Sequence, residues 1–291
     1  MKLVTFARNH SNVEEVGVLK QDGAVLPVRE AGFPWASMND LILGATPADL
    51  AALSAADGET LPPEEVRLLS PIPRPIQDVL CMGLNYTEHA AEASLYSKEA
   101  FSSERATPIF FSKRVSYSQG TGAPIPAHAG LTQRLDYEAE LAVILGKDAV
   151  NVAPEDVEQY IFGYTVVNDV SARDLQTAHK QWYFGKSLDG FTPMGPCIVT
   201  ADEIPYPPKL KISATLNGEL RQNSTTDMLI HSISDIVSLL SRGMTLTAGT
   251  IIATGTPKGV IMGMEDPHFM QKGDVIACAI EGIGTLTNTV E

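Results

Sequence analysis

The sequence has few cysteines and no long apolar run. Its three cysteines, Cys81, Cys197 and Cys278, are an odd number set in apolar, strand-like segments. This argues against a disulfide framework and predicts reduced, buried thiols. No apolar stretch approaches the roughly 20 residues of a transmembrane helix, and Arg8 interrupts the N-terminus before the apolar part of a signal peptide can form. We therefore expect a cytoplasmic protein with no membrane partner.

Positive charge is also scarce. The chain of 291 residues carries 21 Lys and Arg against 35 Asp and Glu, a formal net charge of −14. A nucleic-acid partner needs clustered Lys and Arg to meet its phosphates, so this balance excludes nucleic-acid binding. The length is sufficient to bury a large core, as one domain or as one domain with a small appendage.

Turn and proline signals predict how the chain is organised. Asp22-Gly23 lies between two short apolar runs and predicts a hairpin in a small β-rich unit. The proline-dense stretch 62–75 is the expected boundary, which gives domains at 1–72 and 73–291. Beyond it, Asn217-Gly218 predicts another hairpin, and Ser232 with Asp235 predicts the start of a helix. The predicted fold class is mainly β with some α, without the regular strand–helix alternation of a Rossmann fold.

Three acidic residues are the most informative feature. Glu138 and Glu140 lie in a strand-like run, where alternate side chains share a face and stand about 6.6–6.8 Å apart. Asp169 closes a second strand-like run. Three carboxylates without cysteine or clustered histidine suit a hard divalent cation, Mg²⁺ or Mn²⁺. The alternative is a solvated acidic face.

A possible general base lies earlier in the chain. Asn85 and Glu88 have the spacing of a capping box, which would place His89 and Glu92 one turn apart on one helix face. A carboxylate beside an imidazole fixes its tautomer and raises its basicity. An incidental pair on a surface helix has the same spacing. The polar tract that follows lacks a core face, and we expect a mobile lid around residues 86–106.

Two further segments could contact a substrate. Lys186 lies in an aromatic, glycine-bounded stretch and could stabilise an enolate, although a lysine on a loop with its ammonium in water has the same pattern. Gly255-Thr256-Pro257-Lys258-Gly259 lacks the spacing of a phosphate loop, which excludes nucleotide binding there. It is either a tight turn or a loop that offers the Thr256 hydroxyl and backbone N–H groups to a substrate carboxylate.

Taken in order, these segments resemble the fumarylacetoacetate hydrolase family, from about Asp78 to the end of the chain. The resemblance is carried by Gly83-Leu84-Asn85-Tyr86-x-x-His89-x-x-Glu92, Asp136-Tyr137-Glu138-x-Glu140-Leu141-x-Val143-Ile144-x-Gly146, Asn168-Asp169-Val170-Ser171-Ala172-Arg173-Asp174-Leu175-Gln176, Gly185-Lys186-Ser187, Gly195-Pro196, Asn217-Gly218 and Thr254-Gly255-Thr256-Pro257-Lys258-Gly259-Val260.

The resemblance implies a mixed β-sandwich roll, a homodimer and a fixed set of site residues. It implies that Mg²⁺ or Mn²⁺ is held by Glu138, Glu140 and Asp169. It also implies that His89 and Glu92 form a dyad on a lid that orders when substrate binds. By the same resemblance Lys186 and Gln176 line the metal site and Thr256 lies near the substrate carboxylate. Leu84 departs from the family, because several relatives carry Arg before the Asn-Tyr pair.

The expected activity is cleavage of a carbon–carbon bond in a small 2-oxo acid, with release of pyruvate. An acylpyruvate could be hydrolysed, or oxaloacetate decarboxylated, through the same enolate. One alternative is tautomerisation of an unsaturated 2-oxo diacid, which needs only proton transfer. Another is a metal-containing binding protein without catalysis, because a fold does not fix a reaction.

Overall fold

The structure, a computed structural model, describes residues 1–94 and 107–291. Within these ranges the chain is mainly β, which confirms the predicted fold class. The strands are β1 (Lys2–Arg8), β2 (Glu15–Leu19), β3 (Val25–Pro27), β4 (Val66–Leu68), β5 (Val79–Gly83), β6 (Ile109–Lys113), β7 (Leu135–Asp136), β8 (Ala139–Leu145), β9 (Ile161–Asn168), β10 (Ser171–Ala172), β11 (Met194–Thr200), β12 (Lys211–Leu216), β13 (Glu219–Thr225), β14 (Ile251–Ala253), β15 (Val275–Ile280) and β16 (Gly284–Thr289).

Few helices accompany these strands. The α-helices are α1 (Met38–Gly44), α2 (Pro47–Ser54), α3 (Thr87–Ser94), α4 (Arg173–Ala178), α5 (Tyr183–Lys186) and α6 (Ile233–Ser241), with short 3-10 helices at Pro63–Glu65, Pro154–Tyr160, Ala201–Glu203, Thr226–Met228 and Ile261–Gly263. Among the described residues none of the helices has both the length and the apolar character that a membrane crossing requires.

A large, mostly antiparallel sheet forms the frame. Its strand order is β3-β2-β1-β11-β9-β8-β14-β5-β6, with β4 paired to β1. β1 pairs with β11, so the strands of residues 1–72 continue the sheet of the later chain. The predicted division into two domains stays a prediction.

A second, four-stranded sheet packs against the middle of the first. Its order is β13-β12-β15-β16. Buried side chains of β8, β12 and β15 share one hydrophobic cluster between the two sheets, among them Leu141, Val143, Ile212, Ala214 and Ile276. The burial of such apolar side chains is the main favourable contribution to folding. The two innermost strands of the large sheet, β8 and β9, are therefore buried along their whole length.

Short-range signals in the sequence have the expected structures. Asn217 and Gly218 have φ values of 52° and 81°, and this left-handed pair is the two-residue turn between β12 and β13. Ser232 and Asp235 form a reciprocal capping box at the start of α6. All three cysteines are free and buried, as predicted.

Two segments are each divided by a break. The strand-like run that contains Glu138 and Glu140 is two strands, because β7 pairs with β10 in a small two-stranded sheet and β8 begins in the large sheet only after Tyr137 and Glu138. Residues 38–53, whose apolar positions have helical spacing, form two helices. Pro47 lacks a backbone N–H and occupies the first turn of α2, with Thr46 as its cap, so it starts a helix and cannot continue one.

Candidate active site and metal site

The ends of β8 and β9 bring three acids together. Ala139 pairs with Asn168 across these strands, so Glu138, Glu140 and Asp169 lie on either side of that pair. The backbone N–H of Asp169 donates to the carbonyl of Glu138 at 2.9 Å. All three side chains are buried, and one carboxylate oxygen from each lies within 4.8 Å of the others. We call these three residues the acidic cluster.

Buried cations hold two of the three acids. Lys186, at the end of α5, donates from Nζ to Glu138 Oε2 at 2.8 Å and to Asp169 Oδ2 at 2.7 Å. Lys113, at the end of β6, donates to the other oxygen of Asp169 and to the carbonyl of Val170. Burial opposes the charge on Lys186, but the carboxylates of Asp169 and Glu138 outweigh it and hold its pKa above the ordinary value.

Arg173 joins the acidic cluster to a fourth buried acid. Its Nη1 lies 2.6 Å from Glu138 Oε1, and its Nε donates to Asp136 Oδ2 at 2.8 Å. Burial works against ionisation of Glu138, yet the charges of Lys186 and Arg173 lower its pKa to about 2. Glu138 is therefore an anion at neutral pH.

Glu140 is the member of the acidic cluster that lacks a cationic partner in the part of the chain that the structure describes. Its Oε2 accepts the backbone N–H of Gly255 at 2.8 Å. Burial, and then the neighbouring carboxylates Asp169 and Glu138, raise its pKa well above the usual range. The buried carboxylate of Glu140 thus requires either a proton or a cation, and three carboxylate oxygens suit a hard divalent ion. The residues fit Mg²⁺ or Mn²⁺.

His89 and Glu92 lie one turn apart on α3. His89 Nδ1 lies 3.1 Å from Glu92 Oε2, and the His89 side chain is 9 % exposed, which places it inside the site rather than on a surface helix. The backbone N–H of Gly259 donates to both oxygens of Glu92, at 3.2 and 3.3 Å. A Cβ on Gly263 would lie 2.1 Å from Glu92 Oε1, so a side chain at this position would displace the Glu92 carboxylate. Loop 259–263 therefore holds the dyad in place.

The expected capping box at Asn85 and Glu88 is not formed. The Asn85 amide is fully buried and donates to the carbonyls of His231 and Thr254, while its oxygen accepts the N–H of His231. These long-range contacts use the groups that would have capped the helix, and α3 begins at Thr87. The helix nevertheless places His89 and Glu92 as the spacing indicated. Of the expected lid, residues 95–106 lie outside the described residues.

One cavity joins these groups. Seven of the eight residues singled out from the sequence line it, and the eighth, Asp169, belongs to the adjoining acidic cluster. Leu84 also lines it, together with other apolar side chains that include Met82, Phe111 and Val260. The seven are His89, Glu92, Glu138, Glu140, Gln176, Lys186 and Thr256.

The two residues expected to contact substrate are held by neighbours. Gln176 Oε1 accepts from Arg173 Nη1 at 3.0 Å. Thr256 Oγ1 donates to the carbonyl of Ala139 at 2.9 Å and accepts from Gln222 Nε2 at 2.8 Å. Both side chains are therefore already ordered by the protein.

Sequence reasoning missed four buried polar residues of the site. Arg173 and Asp136 lie within the segments that carry the family resemblance, but nothing in their spacing indicated an ion pair. Lys113 closes an apolar strand, and a charge there is the signal that could have found it. Gln222 occupies the fully buried position of a strand that is otherwise exposed or half-buried, a signal visible only once the register is known.

Comparisons with known proteins identify the family of the chain. The family model described as "Fumarylacetoacetate (FAA) hydrolase C-terminal" matches residues 78–291. The chain is 46 % identical over 226 residues to the oxaloacetate tautomerase YisK of Bacillus subtilis (strain 168), covering 78 % of this chain and 73 % of that protein.

Two solved structures are similar over the whole chain. A fumarylacetoacetate hydrolase from Exiguobacterium antarcticum superposes with a TM-score of 0.85 at 39 % identity, covering 100 % of this chain and 99 % of the other. A maleylpyruvate hydrolase from Sphingobium sp. SYK-6, solved with manganese(II) ion and pyruvate, has a TM-score of 0.76 at 29 % identity and covers 100 % and 98 %.

Proposed function

The chain belongs to the fumarylacetoacetate hydrolase family, and on that premise we propose that it is a divalent-metal-dependent enzyme that interconverts the keto and enol forms of oxaloacetate. One observation carries the proposal. The His89–Glu92 dyad, Lys186 and two members of the acidic cluster, Glu138 and Glu140, line the same cavity. A proton-transfer group and a site for an enolate oxygen are therefore available to one small substrate. The 46 % identical relative named oxaloacetate tautomerase supports the choice of substrate.

The dyad would move the proton. Glu92 contacts Nδ1 of His89, and a carboxylate there favours the tautomer with hydrogen on Nδ1 and a lone pair on Nε2. His89 Nε2 would take a proton from C3 of the keto acid and leave an enolate. Protonation of the enolate oxygen then gives the enol, and the reverse order gives the keto form.

Cationic residues would stabilise the charge that develops. Lys186 uses two of its three N–H donors on Glu138 and Asp169, which leaves one for an enolate oxygen. Arg173 lines the same cavity, and its buried Nη2 has no hydrogen-bond partner among residues 1–94 and 107–291. An unpaired buried guanidinium N–H is costly, and a substrate carboxylate would satisfy it.

Glu138, Glu140 and Asp169 would hold the metal. Bound Mg²⁺ or Mn²⁺ supplies Lewis-acid polarisation of the 2-oxo group, which lowers the cost of forming an enolate. The similar hydrolase that contains manganese(II) supports this cofactor. Family membership likewise supports a homodimer, which sedimentation of the purified protein would test.

A second candidate is carbon–carbon cleavage with release of pyruvate, by hydrolysis of a 2,4-dioxo acid or by decarboxylation of oxaloacetate. The similarity to a structure that holds manganese(II) and pyruvate favours it. For hydrolysis, His89 Nε2 would take a proton from water, and the water oxygen would attack the C4 carbonyl. The C3–C4 bond would then break, leaving a carboxylic acid and the enolate of pyruvate, which takes up the proton at C3. Decarboxylation needs the same enolate and no water attack. Leu84 on the cavity wall offers no charge to a distal carboxylate, so we expect short substrates in either case.

One experiment separates the candidates. Freshly dissolved oxaloacetate is followed by the ultraviolet absorbance of its enol while pyruvate is assayed in the same sample, with Mn²⁺ and with chelator. Tautomerisation predicts rapid loss of enol without pyruvate. Stoichiometric pyruvate from oxaloacetate, or from acetylpyruvate in a parallel assay, would replace the first candidate by the second. The absence of both signals would indicate a binding protein.

A further inference from the structure

A hydrogen-bond network around Gln222 fixes the direction of every polar hydrogen in it. Gln222 lies on β13, is fully buried, and reaches from the second sheet to the acidic cluster. Its Oε1 accepts the backbone N–H of Ala139 at 3.0 Å. Its Nε2 donates to the carbonyl of Pro257 at 2.7 Å and to Thr256 Oγ1 at 2.8 Å. A backbone N–H can only donate and a carbonyl can only accept, so the amide cannot be turned over.

The same network determines the hydroxyl of Thr256. A hydroxyl has one hydrogen and two lone pairs. The hydrogen of Thr256 is directed to the carbonyl of Ala139, 2.9 Å away, and one lone pair receives Gln222 Nε2. One lone pair remains. If the Thr256 hydroxyl donated to a ligand instead, the Ala139 carbonyl would lose its hydrogen bond. Ala139 is fully buried and lies between two members of the acidic cluster, where an unpaired carbonyl is unfavourable.

We propose that Thr256 meets the substrate as a hydrogen-bond acceptor, and that the site thereby selects a protonated substrate oxygen at this position. A carboxylate at this position would place its own lone pairs against the remaining lone pair of Thr256, and no hydrogen bond could form. A hydroxyl would donate, and among the forms of a 2-oxo acid the enol and the hydrate carry one while the keto form does not. The inference deepens the proposed function, on which it rests for the class of substrate, and it differs from the expectation that Thr256 lies near the substrate carboxylate.

The other groups in the cavity complement this assignment. Arg173 lines the same cavity, and its buried Nη2, which has no hydrogen-bond partner among the described residues, can only donate. A substrate carboxylate therefore has a partner at Arg173, while Thr256 offers an acceptor. Gln222 is a positioning residue in this arrangement, because it fixes Thr256 without lining the cavity.

Two small monoanions test the proposal by binding alone. N-methyloxamate and monomethyl oxalate have the same charge and nearly the same shape, but the first carries an N–H donor where the second has an ester oxygen. Calorimetric titration of the Mn²⁺-loaded protein should give N-methyloxamate about three- to tenfold tighter binding, the usual value of one neutral hydrogen bond. In Thr256→Val, which keeps the side-chain shape and removes the hydroxyl, the preference should disappear. It should persist in Thr256→Ser, the matched control.

Equal affinities of the two compounds in the wild-type protein would overturn the proposal, as would tighter binding of the ester or a preference that survives in Thr256→Val. The wild-type comparison decides the matter even when Thr256→Val does not fold. Because both compounds are judged by binding, the result does not depend on turnover of oxaloacetate, and failure of the proposed activity would be seen separately.

Discussion

Gly259 donates its backbone N–H to both carboxylate oxygens of Glu92, at 3.2 and 3.3 Å. This contact ties α3 to a loop that is anchored in turn by the strand segment carrying the acidic cluster. Tyr137 Oη donates to the carbonyl of Gly259 at 2.8 Å, and Asp136 accepts the N–H groups of Ile261 and Met262. The dyad and the acidic cluster are thus held at a fixed separation by residues next to Glu138.

Tyr137→Phe should loosen the dyad without disturbing the metal site. The change removes only the hydrogen bond to Gly259, which is worth about 0.5–1.5 kcal/mol, so we expect turnover to fall about three- to tenfold while Mn²⁺ affinity is unchanged. Tyr206→Phe removes a comparable hydrogen bond, to Ser234, and is the matched control. An equal loss of turnover in both variants would show that Tyr137 acts through general stability.

His89→Ala should remove the proton-transfer group. General acid–base groups contribute about 10²–10⁴-fold to rate, so enol loss should slow by that order with Mn²⁺ affinity unchanged. His268, which is exposed and far more accessible to solvent, gives the control variant His268→Ala. Turnover by His89→Ala within a few-fold of wild type would assign the proton transfer to another residue.

Lys186→Met should damage every reaction that passes through an enolate. Methionine keeps the length of the side chain and removes its charge, so tautomerisation and any pyruvate release should fall together, by about 10²–10³-fold. Loss of a partner from a buried ion pair is also destabilising, so circular dichroism must show a folded protein first. Lys147→Met, at an exposed site, is the control. Normal turnover by Lys186→Met would leave this lysine a structural role only.

Alkaline pH should destabilise the fold through its buried thiols. Burial raises the pKa of Cys197 to about 11 from an ordinary value of 9.0. The unfolded thiol therefore loses its proton first, and the free energy of unfolding should fall as pH rises from about 9 to 11. Urea titrations at pH 8 and pH 10 should show a smaller fall for Cys197→Ala than for the wild type. An identical fall in both proteins would contradict this account.

The sequence predicted local features of the molecule better than its long-range contacts. The Asn217-Gly218 turn and the Ser232–Asp235 capping box depend on a few neighbouring residues, and the structure has both. The helix that carries His89 and Glu92 was expected for a wrong reason. Its proposed cap, Asn85, is used by His231 and Thr254, contacts that only the folded chain creates.

The same distinction holds within the site. Glu138, Glu140 and Asp169 could be grouped because each lies in or beside an apolar, strand-like run and all three offer the same ligand chemistry. Two of the cations that balance them could not, since Lys113 reaches Asp169 across 56 positions of the chain and Arg173 reaches Glu138 from another segment. Gln222 is the extreme case. An amide on an outer strand gives no local sign that it will satisfy a backbone N–H between two carboxylates of the acidic cluster.

The central claim is that the acidic cluster holds a divalent metal on which turnover depends. It is tested most directly by following loss of the oxaloacetate enol while Mn²⁺ is titrated into the wild-type protein and into Glu140→Gln. Glutamine keeps the size of Glu140 and removes the charge that has no cationic partner among the described residues. After treatment with chelator, the wild-type protein should be inactive and regain activity with saturable Mn²⁺ binding. Glu140→Gln should fold and show neither, while Glu88→Gln, at an exposed acid, should match the wild type. Undiminished Mn²⁺ binding and turnover by Glu140→Gln would contradict the account.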